Sequence, residues 1–317
     1  MALAASGGPK WLILGALDRV LANVLNQRSS PLHLLGSSSG AYRFAAYIQD
    51  NPTQAIAALE NSYIEADWSA LRPLTQLRQT AAGILRSYIQ PRPLDHPIFR
   101  LHVSTTLCSG WLASEHRLLQ SLGLLGASFL ATLGRPSMGR LVRRVLFSDP
   151  RAPLPSRLLD IPSLRVTLEE GNLREAILAS GSIPLALPGE YDVSQAPRGC
   201  LRDGGLVDYH FDNLHLETDG LIFYPHFAPE LQPGWLERMG PRRALRAEIL
   251  DRLVLISPSP DWVSRLPGGK IPDRNDAVRF GQRKRRQLWH EAARRGQDLA
   301  DAFSESHLLE RLQIISP

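Results

Sequence analysis

The sequence predicts an α/β fold with a mainly parallel central sheet, and three observations carry that prediction. Short apolar runs at residues 2–5 and 32–35 bracket a stretch whose apolar residues recur at helical spacing, the pattern of two parallel strands joined by a crossover helix. The second run passes straight into Gly36-Ser37-Ser38-Ser39-Gly40 and then into a new helical pattern at Ala41, Phe44, Ala45 and Ile48. Further apolar or alternating runs at 99–105, 221–224 and 253–256 supply more strands. The chain has 317 residues, enough to bury a large core, and reads as a single domain over 1–317. Its 44% hydrophobic and 21% charged residues are those of a soluble globular protein.

In order along the chain, residues 2–5 form a short buried strand, and the sequence leaves open whether that strand begins earlier. Ser6-Gly7-Gly8-Pro9-Lys10-Trp11 breaks it, and Pro9 suits a first helical turn, where a missing N–H costs nothing. Ile13, Leu17, Val20, Leu21 and Val24 keep helical spacing until the polar cluster at 26–30. The next strand feeds the Gly-x-Ser-x-Gly turn, where Gly36 and Gly40 leave room for a sharp bend that exposes Ser38 at a helix N-terminus. The backbone N–H groups there favour a developing negative charge. Gly7 and Gly8 belong at the same carboxyl edge of the sheet, where adjacent glycine N–H groups suit an oxyanion. Neither Gly-x-x-x-x-Gly-Lys-[Ser/Thr] nor Gly-x-Gly-x-x-Gly is present, so a nucleotide phosphate is the weaker reading, and no cofactor is called for.

Residues 52–89 are helical, with a break near Arg72-Pro73. Residues 118–134 carry no charge and are bounded by Arg117 and Arg135. They are read either as a buried helix or as a lid or interfacial helix, within an insertion over 111–150. Residues 150–162 are Pro-rich and form a surface connector. From Asn172 to Pro184 a helix is expected, capped by Asn172 with Glu175 three residues on and stopped by Gly181 and Pro184. Asp203-Gly204-Gly205 then places a carboxylate next to two residues without side chains.

The formal charge is +5, with basic runs at Arg242-Arg243, 283–286 and Arg294-Arg295, the last two within a basic helical segment over 276–317. Solvated helix faces explain such runs first, and contact with an anionic membrane second. Nucleic acid is not expected, because no aromatic residues interleave with the basic ones. Asp208-x-His210-x-Asp212 is read as alternation along a strand or loop and not as a metal site. Cys108 and Cys200 give no disulfide framework and suit a reducing compartment. With no secretory signal pattern at the start, the expected location is cytoplasmic, with or without peripheral membrane contact. The oligomeric state is not legible.

Taken as an ordered set over roughly residues 3–210, these stretches resemble the patatin-like phospholipase family. The resemblance matches residues 6–11 to the family's glycine-rich oxyanion loop, with Ser6 and Trp11 in place of its outer glycines. It matches residues 36–40 to the nucleophile elbow, residues 179–184 to an Ala-Ser-x-x-x-Pro turn, and residues 203–205 to the Asp-Gly-Gly/Ala motif. What it implies is a three-layer α/β/α fold and a Ser38–Asp203 dyad hydrolysing acyl esters of lipids. In that reading Gly7 and Gly8 hold the oxyanion, and Gly36, Gly40, Gly204 and Gly205 support the turns. Two alternatives stand beside it: a catalytically silent lipid-binding protein of the same fold, and a triad through His226 or His307.

Overall fold

The two apolar runs at the start form neighbouring parallel strands, β1 (Ala2–Ala4) and β2 (Leu32–Ser37), with Ala4 opposite Gly36. The molecule is described here from a computed structural model covering residues 1–305, apart from 70–71, 91–92, 155, 158–159, 213–214, 218–219 and 239–246. His307 and the Arg242-Arg243 pair therefore lie outside the described residues. Between β1 and β2 come a 3₁₀ segment, Gly8–Leu14, and helix α1 (Gly15–Asn26). Strand β2 runs directly into α2 (Ser39–Tyr47), followed by α3 (Pro52–Glu65) and α4 (Leu74–Tyr88), so the helical stretch does break next to Pro73. Asn51 caps α3 by accepting the Gln54 N–H at 3.0 Å.

Strand β3 (Phe99–Cys108) pairs in parallel with β2. After α5 (Arg117–Thr132) and the short α6 (Arg135–Met138), β4 (Val142–Ser148) returns antiparallel to β3. The expected insertion over 111–150 is therefore shorter, because its last part is a strand of the central sheet. The connector that follows contains β5 (Ser156–Arg157), and β6 (Ser163–Thr167) then pairs in parallel with β4.

Helix α7 (Glu170–Gly181) starts three residues earlier than the expected cap at Asn172 implies. Glu169 is the capping position, and Asn172, three residues on, reaches back to accept the Glu169 N–H at 2.9 Å. The reciprocal capping pair is present, with its members in the opposite order. Strand β7 (Cys200–Asp203) runs antiparallel to the far end of β3. Strand β8 (His215–Leu216) pairs with β5, and β9 (Ile222–Pro225) and β10 (Leu253–Ile256) complete the sheet beside β1.

The central order is β10-β9-β1-β2-β3-β4-β6, with β7 off this path and paired to β3. Five of its seven strand pairings are parallel, and helices flank the sheet in a three-layer α/β/α arrangement. Beneath the first turn of the site, Asp18 of α1 holds Arg43 of α2 in a two-pronged pair at 2.7 Å and accepts the Tyr47 hydroxyl at 2.9 Å. Both charged groups are fully buried, so the pair fixes α1 against α2 at the cost of desolvation.

The basic C-terminal segment is part of the body of the protein. Arg285 of the helix Gln282–Arg295 is buried, stacks on Trp289 and donates to the carbonyls of Ile64 and Ala66 at the end of α3. Arg286 pairs with Glu65, and Arg294 and Arg295 with Glu291, so much of this basicity is neutralised within the chain.

Candidate active site

The site forms where two strands end against β3. Ser37, the last residue of β2, lies opposite Ser104, and Asp203, the last residue of β7, lies opposite the next residue, Thr105. Because β7 runs against the direction of β2, the two strand ends meet head to head on one edge of β3. Register alone therefore brings together residues 165 positions apart. The Ser38 Oγ donates to Asp203 Oδ2 at 2.7 Å.

Ser38 sits at φ 53°, ψ −127°, a backbone region that side-chain-bearing residues rarely enter and that costs about 1–3 kcal/mol. The neighbouring glycines make it feasible. A Cβ on Gly40 would stand 2.0 Å from the Ala4 carbonyl oxygen, and one on Gly36 would stand 2.7 Å from the Ala41 nitrogen. The strained residue is also held from behind. Its N–H donates to Ser180 Oγ at 2.8 Å, and that hydroxyl donates to the Ser104 carbonyl at 2.7 Å. The Ala179-Ser180 turn thus fixes the elbow to β3.

Asp203 is positioned as firmly. Its N–H donates to the Ser182 carbonyl at 3.1 Å, its carbonyl accepts from Thr106 Oγ1 at 3.0 Å, and its Oδ1 accepts the Gly205 N–H at 2.7 Å. Gly204 packs so closely that a Cβ there would meet the Ser104 carbonyl oxygen at 2.2 Å. Burial pushes the Asp203 carboxyl up from its ordinary 3.8 to about 6, against the opposing pull of the Ser38 and Gly205 hydrogen bonds and the Arg274 charge. At neutral pH it is ionised yet far more basic than an exposed aspartate.

Two cavities open on this pair. One, of about 550 Å³, is mostly apolar, with Tyr63, Trp68, Leu77, Ile183, Leu187 and Trp289 in its wall. The other, of about 460 Å³, holds Asp203, Gly7 and three cations, Lys10, Arg238 and Arg274. Gly8, Ser38, Ile183, Leu185, Arg274 and Asn275 line both, so they are two arms of one cleft that meet at Ser38. Lys10 lies over the Phe227 ring at 5.0 Å and Arg238 over Tyr209 at 4.9 Å. Gly7 and Gly8 stand in the polar arm, and neither N–H has an acceptor among the described residues. The N–H of Ser39, first in α2, has no intrahelical acceptor either.

The remaining sequence candidates fall elsewhere. Ser6, in place of a glycine, donates its hydroxyl to Ser37 Oγ at 2.9 Å and its N–H to the Tyr209 carbonyl, so it ties β1 to the elbow. His226 is buried, bonded through Nδ1 to Ala228, and lowered to about 4 chiefly by desolvation; Asp203 meets Ser38 with no imidazole between them. Asp208 takes a two-pronged hydrogen bond from Arg144 at 2.6 Å and another from Ser104 at 2.7 Å, which pins the segment after Asp203 to β3 and β4. His210 accepts the Gln232 N–H at 2.9 Å, and among the described residues no His, Cys, Asp or Glu cluster could hold a metal. Arg274 and Trp289 carry no motif and enter the cleft only through tertiary packing of the C-terminal segment. No protein-family model and no curated protein matches the chain.

Proposed function

We propose that the protein is a carboxylic ester hydrolase of the patatin-like phospholipase class, acting on lipid esters through Ser38 and Asp203. The observation that carries this reading is the 2.7 Å hydrogen bond from Ser38, on a strained strand-to-helix turn, to a buried carboxylate whose pKa is raised to about 6. Asp203 Oδ2 takes the hydroxyl proton as Ser38 Oγ attacks the ester carbonyl. The N–H groups of Gly7, Gly8 and Ser39 stabilise the tetrahedral oxyanion, a kind of donor whose loss typically costs about 100- to 1,000-fold in rate. As the intermediate collapses, the C–O bond breaks and Asp203 returns the proton to the departing alkoxide. Water then attacks the acyl-serine with Asp203 as base again, releasing the carboxylic acid and restoring Ser38.

The two arms divide the substrate between them. The apolar arm suits an acyl chain, and the arm bearing Lys10, Arg238 and Arg274 suits an alcohol portion with negative charge, as in a phospholipid. A serine-directed fluorophosphonate probe tests the reading together with ester hydrolysis. The expected outcome is labelling and turnover that Ser38→Ala abolishes, at least about 1,000-fold loss in kcat with Asp203→Asn, and most of the activity kept in His226→Ala and His307→Ala. Folded wild type that takes no probe would favour the silent lipid-binding protein, and loss with either histidine variant the triad.

A further inference from the structure

Helix α5 forms part of the cleft wall with its inner side and leaves its outer side largely open among the described residues. Gln120, Gly123, Leu124, Ala127, Ser128 and Ala131 are buried, and Leu124 and Arg117 line the polar and apolar arms respectively. Gln120 Oε1 accepts the Leu185 N–H at 2.5 Å, which fixes the helix to a residue that lines both arms. Leu118, Leu122, Leu125, Phe129 and Leu133 recur within a strip about 80° wide at 100° per residue. All five are between 42% and 64% exposed. An ordinary surface helix is polar on this side, and this one is apolar on both.

Trp111 extends the strip. It is 60% exposed, and its backbone packs on α5 at Gly123, where a Cβ would meet the backbone of Leu112 at 2.3 Å. The charges around the strip are of one sign. Arg117 opens the helix, while Arg140 and Arg143 flank Leu141, which packs on α5 at Gly126. All three arginines are exposed, with no acidic partner among the described residues; the only acid between His96 and Ser148, Glu115, pairs with Arg202.

We propose that the outer side of α5, with Trp111, is a docking face for a lipid surface carrying anionic headgroups. The leucines and Phe129 enter the acyl boundary, Trp111 rests at headgroup level, and the arginines meet the phosphates. A second copy of the chain fits less well, since a two-fold contact over this face brings the three arginines towards their own counterparts. The inference rests on the ester-hydrolase reading for its role, delivery of a bilayer ester to the cleft beside the helix, but docking needs no catalysis.

The test uses full-length Ser38→Ala protein, which cannot turn over lipid, sedimented with phosphatidylcholine vesicles containing one quarter phosphatidylglycerol. The expected result is binding that Leu125→Asp with Phe129→Asp lowers about tenfold or more, and that salt or omission of phosphatidylglycerol weakens. The double variant keeps its melting temperature and, with Ser38 restored, its hydrolysis of a soluble short-chain ester. Val24→Asp, a charge on an exposed apolar position of α1, leaves binding unchanged. The proposal is overturned if Ser38→Ala protein does not sediment with these vesicles, or if the double variant binds as its parent does. It is overturned equally if the parent is a dimer that the double variant dissociates while vesicle binding persists. Failure of the hydrolase reading looks different: wild type takes no fluorophosphonate while vesicle binding stays intact.

Discussion

Around the junction of β2, β3 and β7, the side chains of Ser6, Ser37, Ser104, Ser180, Asp203 and Asp208 all hold hydrogen-bond partners, whereas along the outer strip of α5 five large apolar side chains stand open. The junction is defined from within: each residue's place follows from a contact already made inside the protein. The strip has no such covering partner among the described residues. The contrast separates residues that fold the chain from residues that face a partner, and stability measurements can probe it directly.

The largest effect is expected behind the elbow. Asp18→Ala leaves Arg43 buried without its counter-ion and the Tyr47 hydroxyl without its acceptor, and should cost about 3–5 kcal/mol in urea unfolding. A loss under 1 kcal/mol would mean that water reaches the pair and that this region is less closed than its burial indicates.

A second effect has the opposite sign and concerns Asp203. With its pKa raised from 3.8 to about 6, the carboxyl favours the folded state fully below pH 3.8, and that advantage is lost as pH rises through about 6. Asp203→Asn avoids the loss. The variant should gain stability over wild type by up to about 3 kcal/mol above pH 6, with the gap closing towards pH 4. Over the same range, wild-type kcat/KM should climb about tenfold per pH unit below 6 and then level off, since the base must be ionised. Thermal melts and a pH–rate profile check both halves, and a flat profile across pH 5–7 would show that Asp203 is not the base.

The smallest effect sharpens the contrast within a single helix. Leu125→Ala should change stability by less than about 0.5 kcal/mol, whereas Leu124→Ala, one residue away and 6% exposed, should cost about 2–5 kcal/mol. Equal costs would place the strip in a packed interface.

Much of the junction was legible because it is encoded locally. Gly36, Gly40 and Gly204 mark backbone approaches that leave no space for a Cβ, and Pro73 and Gly181 mark helix boundaries, so turn chemistry alone points to them. The antiparallel returns β4 and β7 were not legible even as strands, since Arg143, Arg144 and Arg202 interrupt their apolar pattern and become buried only through tertiary pairing or lie at the surface. Residues 118–134 show why lack of charge is too coarse a signal: a leucine at almost every turn position gives no periodic contrast, and only packing distinguishes Leu124 from Leu125. Asn172 was taken for the cap because Asn-x-x-Glu and Glu-x-x-Asn fit the same motif in opposite orders. Arg274 and Trp289 reach the cleft across more than 200 residues of sequence, for which no local pattern exists.

The placement of β7 also bears on the order in which the chain acquires its chemistry. The strand and helix that form the elbow, β2 and α2, lie within the first fifty residues, while the groups that hold it, Ser104 and Ser180, come later and the carboxylate that meets Ser38 joins from position 203 through pairing of β7 with β3. Long-range pairing of this kind carries a loop-closure cost that local pairing does not. During synthesis Ser38 is therefore made well before Asp203, and on the proposed reading an emerging chain carries an inert serine until more than 200 residues have been made. On the proposed function, ester turnover reports completion of the sheet and is silent at every stage at which β7 has yet to dock.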